Sequence, residues 1–183
     1  FAEYVDRTCQ ALREGKRDCK IGVLYPTTAI NARLPDVSSL ESMRQELGEL
    51  AYELLANGFD FEFIAESEMV HAAAESGKLK VGEAKYRMVV VPGVTVLDDD
   101  VVGMLNSTEI CLVVVDRRPC GLERGEELGR GPLVPLAKLC RHLDQYVDRP
   151  LVQLDSRGIF VHARQSGDQR RYLLFNSKVK PVR

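Results

Sequence analysis

Tryptophan is missing from the 183-residue chain and histidine occurs only three times, so aromatic stacking platforms and imidazole chemistry are both scarce. No apolar run approaches the ~20 residues that span a bilayer. The opening residues lack the charged-then-apolar profile of a secretory signal, and the expectation is a soluble domain with its compartment left open. A net charge of −2 with scattered basic residues leaves neither a nucleic-acid footprint nor a polybasic patch, so neither nucleic acid nor membrane is an expected partner. Neither GxGxxG nor GxxxxGK[ST] occurs, which excludes nucleotide binding by those routes, and no cofactor is expected. The five cysteines are odd in number and widely spaced, which argues against a disulfide framework. Cys140 and His142, two apart on an expected helix, point to different faces with no second pair to complete a tetrahedron, so no metal site is expected.

Apolar residues make up 45% of the chain and charged residues 28%, enough to bury one core and too little charge to keep the chain unfolded. Val5, Cys9 and Leu12 recur at helical spacing up to about Arg13, and Gly15-Lys16-Arg17-Asp18 reads as a stop. Ile21 to Tyr25, Met88 to Val91 and Ile110 to Val115 are short apolar runs of the kind buried on both faces of a parallel sheet. Phe59 to Ala65 alternates apolar and acidic residues, as an edge strand does. Thr27 to Val37 reads as a polar loop, Ser38 with Glu41 as a capping box, and Leu40 to Leu55 as an amphipathic helix closed by Asn57-Gly58. Met69 to Ser76 reads as a short helix and Lys78 to Val81 as a short extra strand. Asp98-Asp99-Asp100 caps a helix through Leu105, where the helix dipole favours negative charge. Pro132 to Val147 reads as the last helix, followed by a short strand at Leu151-Val152. The alternation of strands and helices predicts an α/β fold with an open, doubly wound parallel sheet. Gly158 to Arg164 and Arg171 to Asn176, split by Gln165 to Gln169, read as a β-hairpin of different architecture.

Open α/β sheets take ligands where loops leave the carboxyl ends of the strands. The candidates there are Tyr25 and Thr27 after the first strand, Glu66 after the second, and Asp116 and Arg117 after the fourth. The Thr27-Thr28 hydroxyls suit a phosphate, but no glycine allows close backbone approach and the helix is expected many residues later. Glu62 and Glu66 share a face roughly 13 Å apart along the strand, too far for a retaining glycosidase pair. Cys120 follows a strand as an amidotransferase nucleophile does. It lacks the leading glycine, Pro119 restricts the backbone before it, and no downstream His-x-Glu pair follows. His71 and His162 lack partners in sequence. No catalytic residue is assigned.

The run Tyr4 to Cys9, then Gly15-Lys16 and Ile21 to Thr27, resembles the segment that follows the catalytic barrel in α-L-rhamnosidase-type glycoside hydrolases. The layout is similar to that of the thermophile-type β-galactosidases. Gly58-Phe59-Asp60-Phe61, the strand from Tyr86 to Pro92, and His162, Gly167, Asp168, Tyr172 and Asn176 fit the same family, whereas Ala163 stands where a basic residue commonly follows the histidine. The resemblance implies a flavodoxin-like domain, related to the class I glutamine amidotransferase fold, between a catalytic barrel and β-sandwich modules. It implies a lead-in helix from an upstream domain over residues 1–19, the α/β domain over 20–150 and the start of a downstream β-rich domain over 151–183. Phe1 opening in mid-helix agrees with that expectation. Both catalytic carboxylates would lie in the barrel. The implied role is an accessory domain of an enzyme acting on carbohydrate, with a contribution to oligomerisation. The alternatives are a sugar-binding module and a free-standing amidotransferase-like enzyme using Cys120.

Overall fold

Five apolar runs pair side by side and parallel. We label them β1 (Ile21–Tyr25), β2 (Phe61–Ala65), β3 (Met88–Val91), β4 (Leu112–Val115) and β5 (Leu133–Val134), and the sheet order is β2-β1-β3-β4-β5. The computed structural model describes residues 2–13, 15–17, 19–148 and 159–176. Around the sheet lie α1 (Ala2–Arg13), α2 (Thr27–Asn31), α3 (Val37–Ala56), α4 (Glu66–Met69), α5 (Asp99–Ser107) and α6 (Leu136–Leu143). The chain is therefore mixed α/β with a parallel five-stranded sheet covered on both faces. Among the described residues no helix is long and apolar enough to cross a membrane.

The period of two in the strands builds two cores from one sheet. Met88, Val90, Val113 and Val115 turn toward α3 and α6, where Leu50, Leu54, Leu139 and Leu143 meet them. Val89, Val91, Leu112 and Val114 turn the other way, onto Val101, Val102 and Leu105 of α5. All eight strand residues are buried. Fully burying such a side chain stabilises by about 1.5–3 kcal/mol, so these runs hold the sheet at the centre. Gly22 in β1 has no room for a Cβ, because Ile64 and the Tyr86 ring lie against it.

Several local expectations are corrected. The cap of α3 is Asp36, whose carboxylate accepts the N–H groups of Ser38 and Ser39 at 3.1 and 3.3 Å, while Glu41 pairs with Arg44 instead of reaching back. Bonds to Ser39 and Ser38 lower the Asp36 carboxyl to about 2. Residues 73–75 are not helical: Ala73–Glu75, Lys78–Val81 and Ala84–Tyr86 form an antiparallel meander. Bonds from Lys80 and Lys85 hold the Glu75 carboxyl at about 2. The last helix is shorter than its apolar stripe, because Leu133–Val134 pairs with Val114–Val115 before α6 starts. The fifth strand is thus Leu133–Val134, and Leu151-Val152 lies outside the described residues.

Two antiparallel strands, β6 (Ile159–Ser166) and β7 (Gln169–Asn176), form a separate hairpin, and Lys16–Arg17 pairs with the outer side of β6 at Gln165 and Arg164. Val161 and Ala163 are buried, and the Phe160 ring meets Tyr52 of α3 edge-on, with centroids 6.2 Å apart.

Candidate functional site

At the carboxyl end of the sheet the loops after β1 and β3 leave in opposite directions, because β1 connects to one neighbour and β3 to the next on the other side. This topological switch is where open α/β sheets take ligands. Here it is filled from within. Glu66, the residue directly after β2, is the one charged residue among the described residues that is buried, at 3% exposure. Its Oε1 accepts the Thr28 N–H at 2.7 Å and the Thr27 hydroxyl at 3.3 Å. Its Oε2 accepts the Asp98 N–H at 2.6 Å. One carboxylate thus joins the exits of three strands. A buried ion is tolerated only when its oxygens are bonded, and backbone donors at the starts of α2 and α5 meet that requirement here.

The expectation of a long loop after β1 is corrected at the same place: α2 begins at Thr27, directly after buried Pro26. The Thr27-Thr28 segment does hold an anion, and the anion is a side chain of the same chain. Tyr25 points away, 39% exposed, with its ring edge-on to Phe63 at 5.6 Å.

Asp116 and Arg117 belong to a separate cleft, of about 190 Å³, between the carboxyl ends of β3 and β4 and helices α3 and α6. Asp116 has a φ of 56°, and Arg117 donates its N–H to the Val115 carbonyl at 2.6 Å, a γ-turn that Asp tolerates better than most residues. The Asp116 carboxylate accepts the N–H of Leu136 at 3.0 Å and so starts α6. Gly93 opposite has room for no side chain without meeting the Val115 carbonyl at 3.0 Å. Arg117 and Glu46 face each other at 3.6 Å across the cleft mouth, both half-exposed.

Cys120 lies in the long connection after β4, with its Sγ 3.5 Å from the Thr95 carbonyl. Among the described residues no imidazole or carboxylate bonds it. That connection is organised by polar residues: Arg118 donates to the carbonyls of Leu128, Arg130 and Gly131 at 2.6–2.9 Å, and Asp99 accepts the N–H groups of Glu123 and Arg124 at 2.9 and 2.8 Å. Among the described residues no group of three or more potential ligands is placed to hold a metal ion.

Sequence reasoning missed a second cluster, at the amino end of β2. Asp60 Oδ1 accepts from Arg17 at 2.6 Å, and Asp60 Oδ2 lies 3.1 Å from Nδ1 of His162. Arg17 also donates to Glu62 at 3.0 Å and to the Phe61 carbonyl at 2.5 Å. The Tyr86 hydroxyl donates to the other Glu62 oxygen at 2.7 Å. Burial works to raise the Asp60 carboxyl, but the bonds from His162 and Arg17 outweigh it and leave it below the ordinary value. Burial pushes the Tyr86 phenol up, and the Glu62 carboxylate adds to the rise. Buried Cys19 beside Asp60 has its thiol pushed up to about 12, mainly by desolvation. Among the described residues, His162 Nε2 is buried and has no hydrogen-bond partner. The signal was only the charge of Arg17, Asp60 and Glu62 beside apolar strands, since the partners lie 43 and 45 residues apart.

Compared with family models, with curated proteins and with solved structures, the chain gives no match.

Proposed function

We propose that this chain is a flavodoxin-like accessory domain of a multidomain glycoside hydrolase, one that supports a catalytic barrel and does not itself hydrolyse sugar. The sheet order β2-β1-β3-β4-β5 supports the flavodoxin-like reading, being the order of that class of doubly wound sheet. The supporting role rests on one observation: the crevice at the switch point, where such a sheet would hold a ligand, is occupied by the Glu66 carboxylate. The remaining acidic candidate at that end, Asp116, has an oxygen engaged in starting α6. The hairpin fits the start of a following β-domain, since its strands pair antiparallel and apart from the parallel sheet. On this reading the partners are an upstream barrel and a downstream β-sandwich of the same polypeptide.

The experiment is hydrolysis of aryl α-L-rhamnosides and β-galactosides by this chain and, side by side, by a longer polypeptide in which the barrel precedes it. Turnover by the longer chain alone is the expected result. Turnover by this chain would overturn the reading and return attention to Glu62, Glu66 and Cys120.

A sugar-binding module is the second reading, favoured by the exposed Tyr25–Phe63 ring pair, since exposed aromatic faces are what sugar rings stack on. Titration with methyl glycosides, followed by tyrosine fluorescence in the wild type and in Tyr25→Ala, separates it from the first.

A further inference from the structure

Glu66 is more than a buried carboxylate with partners, because of where its donors come from. Thr27 and Thr28 follow β1, Asp98 lies on the connection from β3 to α5 as the residue that caps α5, and Glu66 itself follows β2. Its three contacts span 39, 38 and 32 residues, so no local turn or cap explains them. Two backbone N–H groups and a hydroxyl converge on one point at 2.6–3.3 Å. That is the stereochemistry of a carboxylate-binding site. Backbone donors cannot be removed by changing side chains, and a buried N–H without an acceptor is costly. The site therefore requires an anion or a water in place of one.

We infer that the switch point of this sheet is a carboxylate-binding site permanently occupied by the chain's own Glu66, and that removing the side chain exposes a latent site for small carboxylates such as acetate. Truncation to alanine deletes one methylene and the carboxylate, and acetate carries a carboxylate on one carbon, so it replaces the deleted group atom for atom. The inference does not depend on the proposed function: an accessory domain, a sugar-binding module or an enzyme would each contain the same closed site.

The test uses the full chain with Glu66→Ala and Glu66→Gln, acetate as the probe and chloride at equal ionic strength as the control. Melting temperature and amide hydrogen exchange at Thr28 and Asp98 are read for each protein. Glu66→Ala is expected to melt about 10 °C below the wild type, as two N–H donors left without their acceptor and the loss of a buried side chain imply in a chain of this size. Its Thr28 and Asp98 amides are expected to exchange faster. Acetate should raise its melting temperature in a saturable manner and slow exchange at those two amides, with no such effect from chloride and none in the wild type. Glu66→Gln keeps the shape but must turn an NH₂ toward one of the donors. It is expected to lose protection at one of the two amides and to ignore acetate, because the site stays filled. Should Glu66→Ala not fold alone, acetate added during refolding is expected to recover it where chloride does not, and failure of acetate to do so, or unchanged protection in Glu66→Gln, decides against the inference. Acetate that stabilises wild type and Glu66→Ala equally, or leaves exchange at both amides unchanged in Glu66→Ala, overturns it.

Discussion

The two ends of strand β2 each carry a carboxylate, and they are held in opposite ways. Asp60, just before the strand, is met by side chains: the Arg17 guanidinium 2.6 Å from Oδ1 and the His162 imidazole 3.1 Å from Oδ2. Glu66, just after it, is met by the backbone N–H groups of Thr28 and Asp98 and by one hydroxyl. The first arrangement joins separately formed pieces, since Arg17 lies in the lead-in strand and His162 in the hairpin. The second joins loops of a single sheet. Side-chain partners can be withdrawn by mutation or by titration of the carboxylate they face, whereas backbone donors persist and must be answered. The amino end is therefore an adjustable staple and the carboxyl end a fixed closure.

Breaking the closure should have the largest effect. Glu66→Ala is expected to cost about 3 kcal/mol in urea unfolding, through two N–H groups left without their acceptor, with loss spread over the whole sheet. Breaking the staple should cost less and act locally. Arg17→Met leaves Asp60, whose side chain is 12% exposed, without its guanidinium and with the His162 imidazole alone. Because Arg17 itself is 30% exposed, solvent discounts the loss to about 1–2 kcal/mol. Hydrogen exchange should show this loss concentrated at Val161 and Ala163, with the Thr28 and Asp98 amides unchanged.

A smaller effect comes from acid. The folded-state Asp60 carboxyl titrates below its ordinary value, so its contribution is present above about pH 4 and is lost as the pH falls through the folded-state value. Unfolding midpoints measured from neutral pH down to about pH 3 should decline in the wild type, and less steeply in Asp60→Asn, which has already given up that contribution. The smallest effect is on thiol reactivity. Cys9 is exposed, while Cys19 is buried under the staple with its thiol at about 12. A thiol reagent at about pH 8 should label Cys9 promptly and Cys19 slowly, and Arg17→Met should speed the labelling of Cys19.

The contrast also separates what was legible in the sequence from what was not. The apolar runs of β1, β3 and β4 announce themselves because burial on both faces imposes an unbroken apolar run, and the stripe of α3 because burial on one face imposes a period. Strand β5 does not, since two residues carry no period, and its neighbour α6 continues the same apolar spacing. The meander at 73–86 was hidden for a related reason: Ala73 to Glu75 is two alanines and a glutamate, too short to alternate visibly. Glu66 was legible as a residue at the ligand edge, from its place after an expected strand. Its role was not, because its acceptor geometry depends on backbone donors that look the same in every residue type. Asp116 was legible in the same limited way, and its left-handed turn was not. The staple of Arg17, Asp60 and His162 is a product of tertiary assembly, and no spacing in the chain points to it.

The closed carboxyl end is tested most directly by titrating the wild-type chain with acetate and inorganic phosphate while following the Thr28 and Asp98 amide resonances. The account predicts that neither resonance moves at millimolar anion, because Glu66 already fills the site. Saturable shifts of those two resonances in the wild type would contradict it and would mark the switch point as an open ligand site.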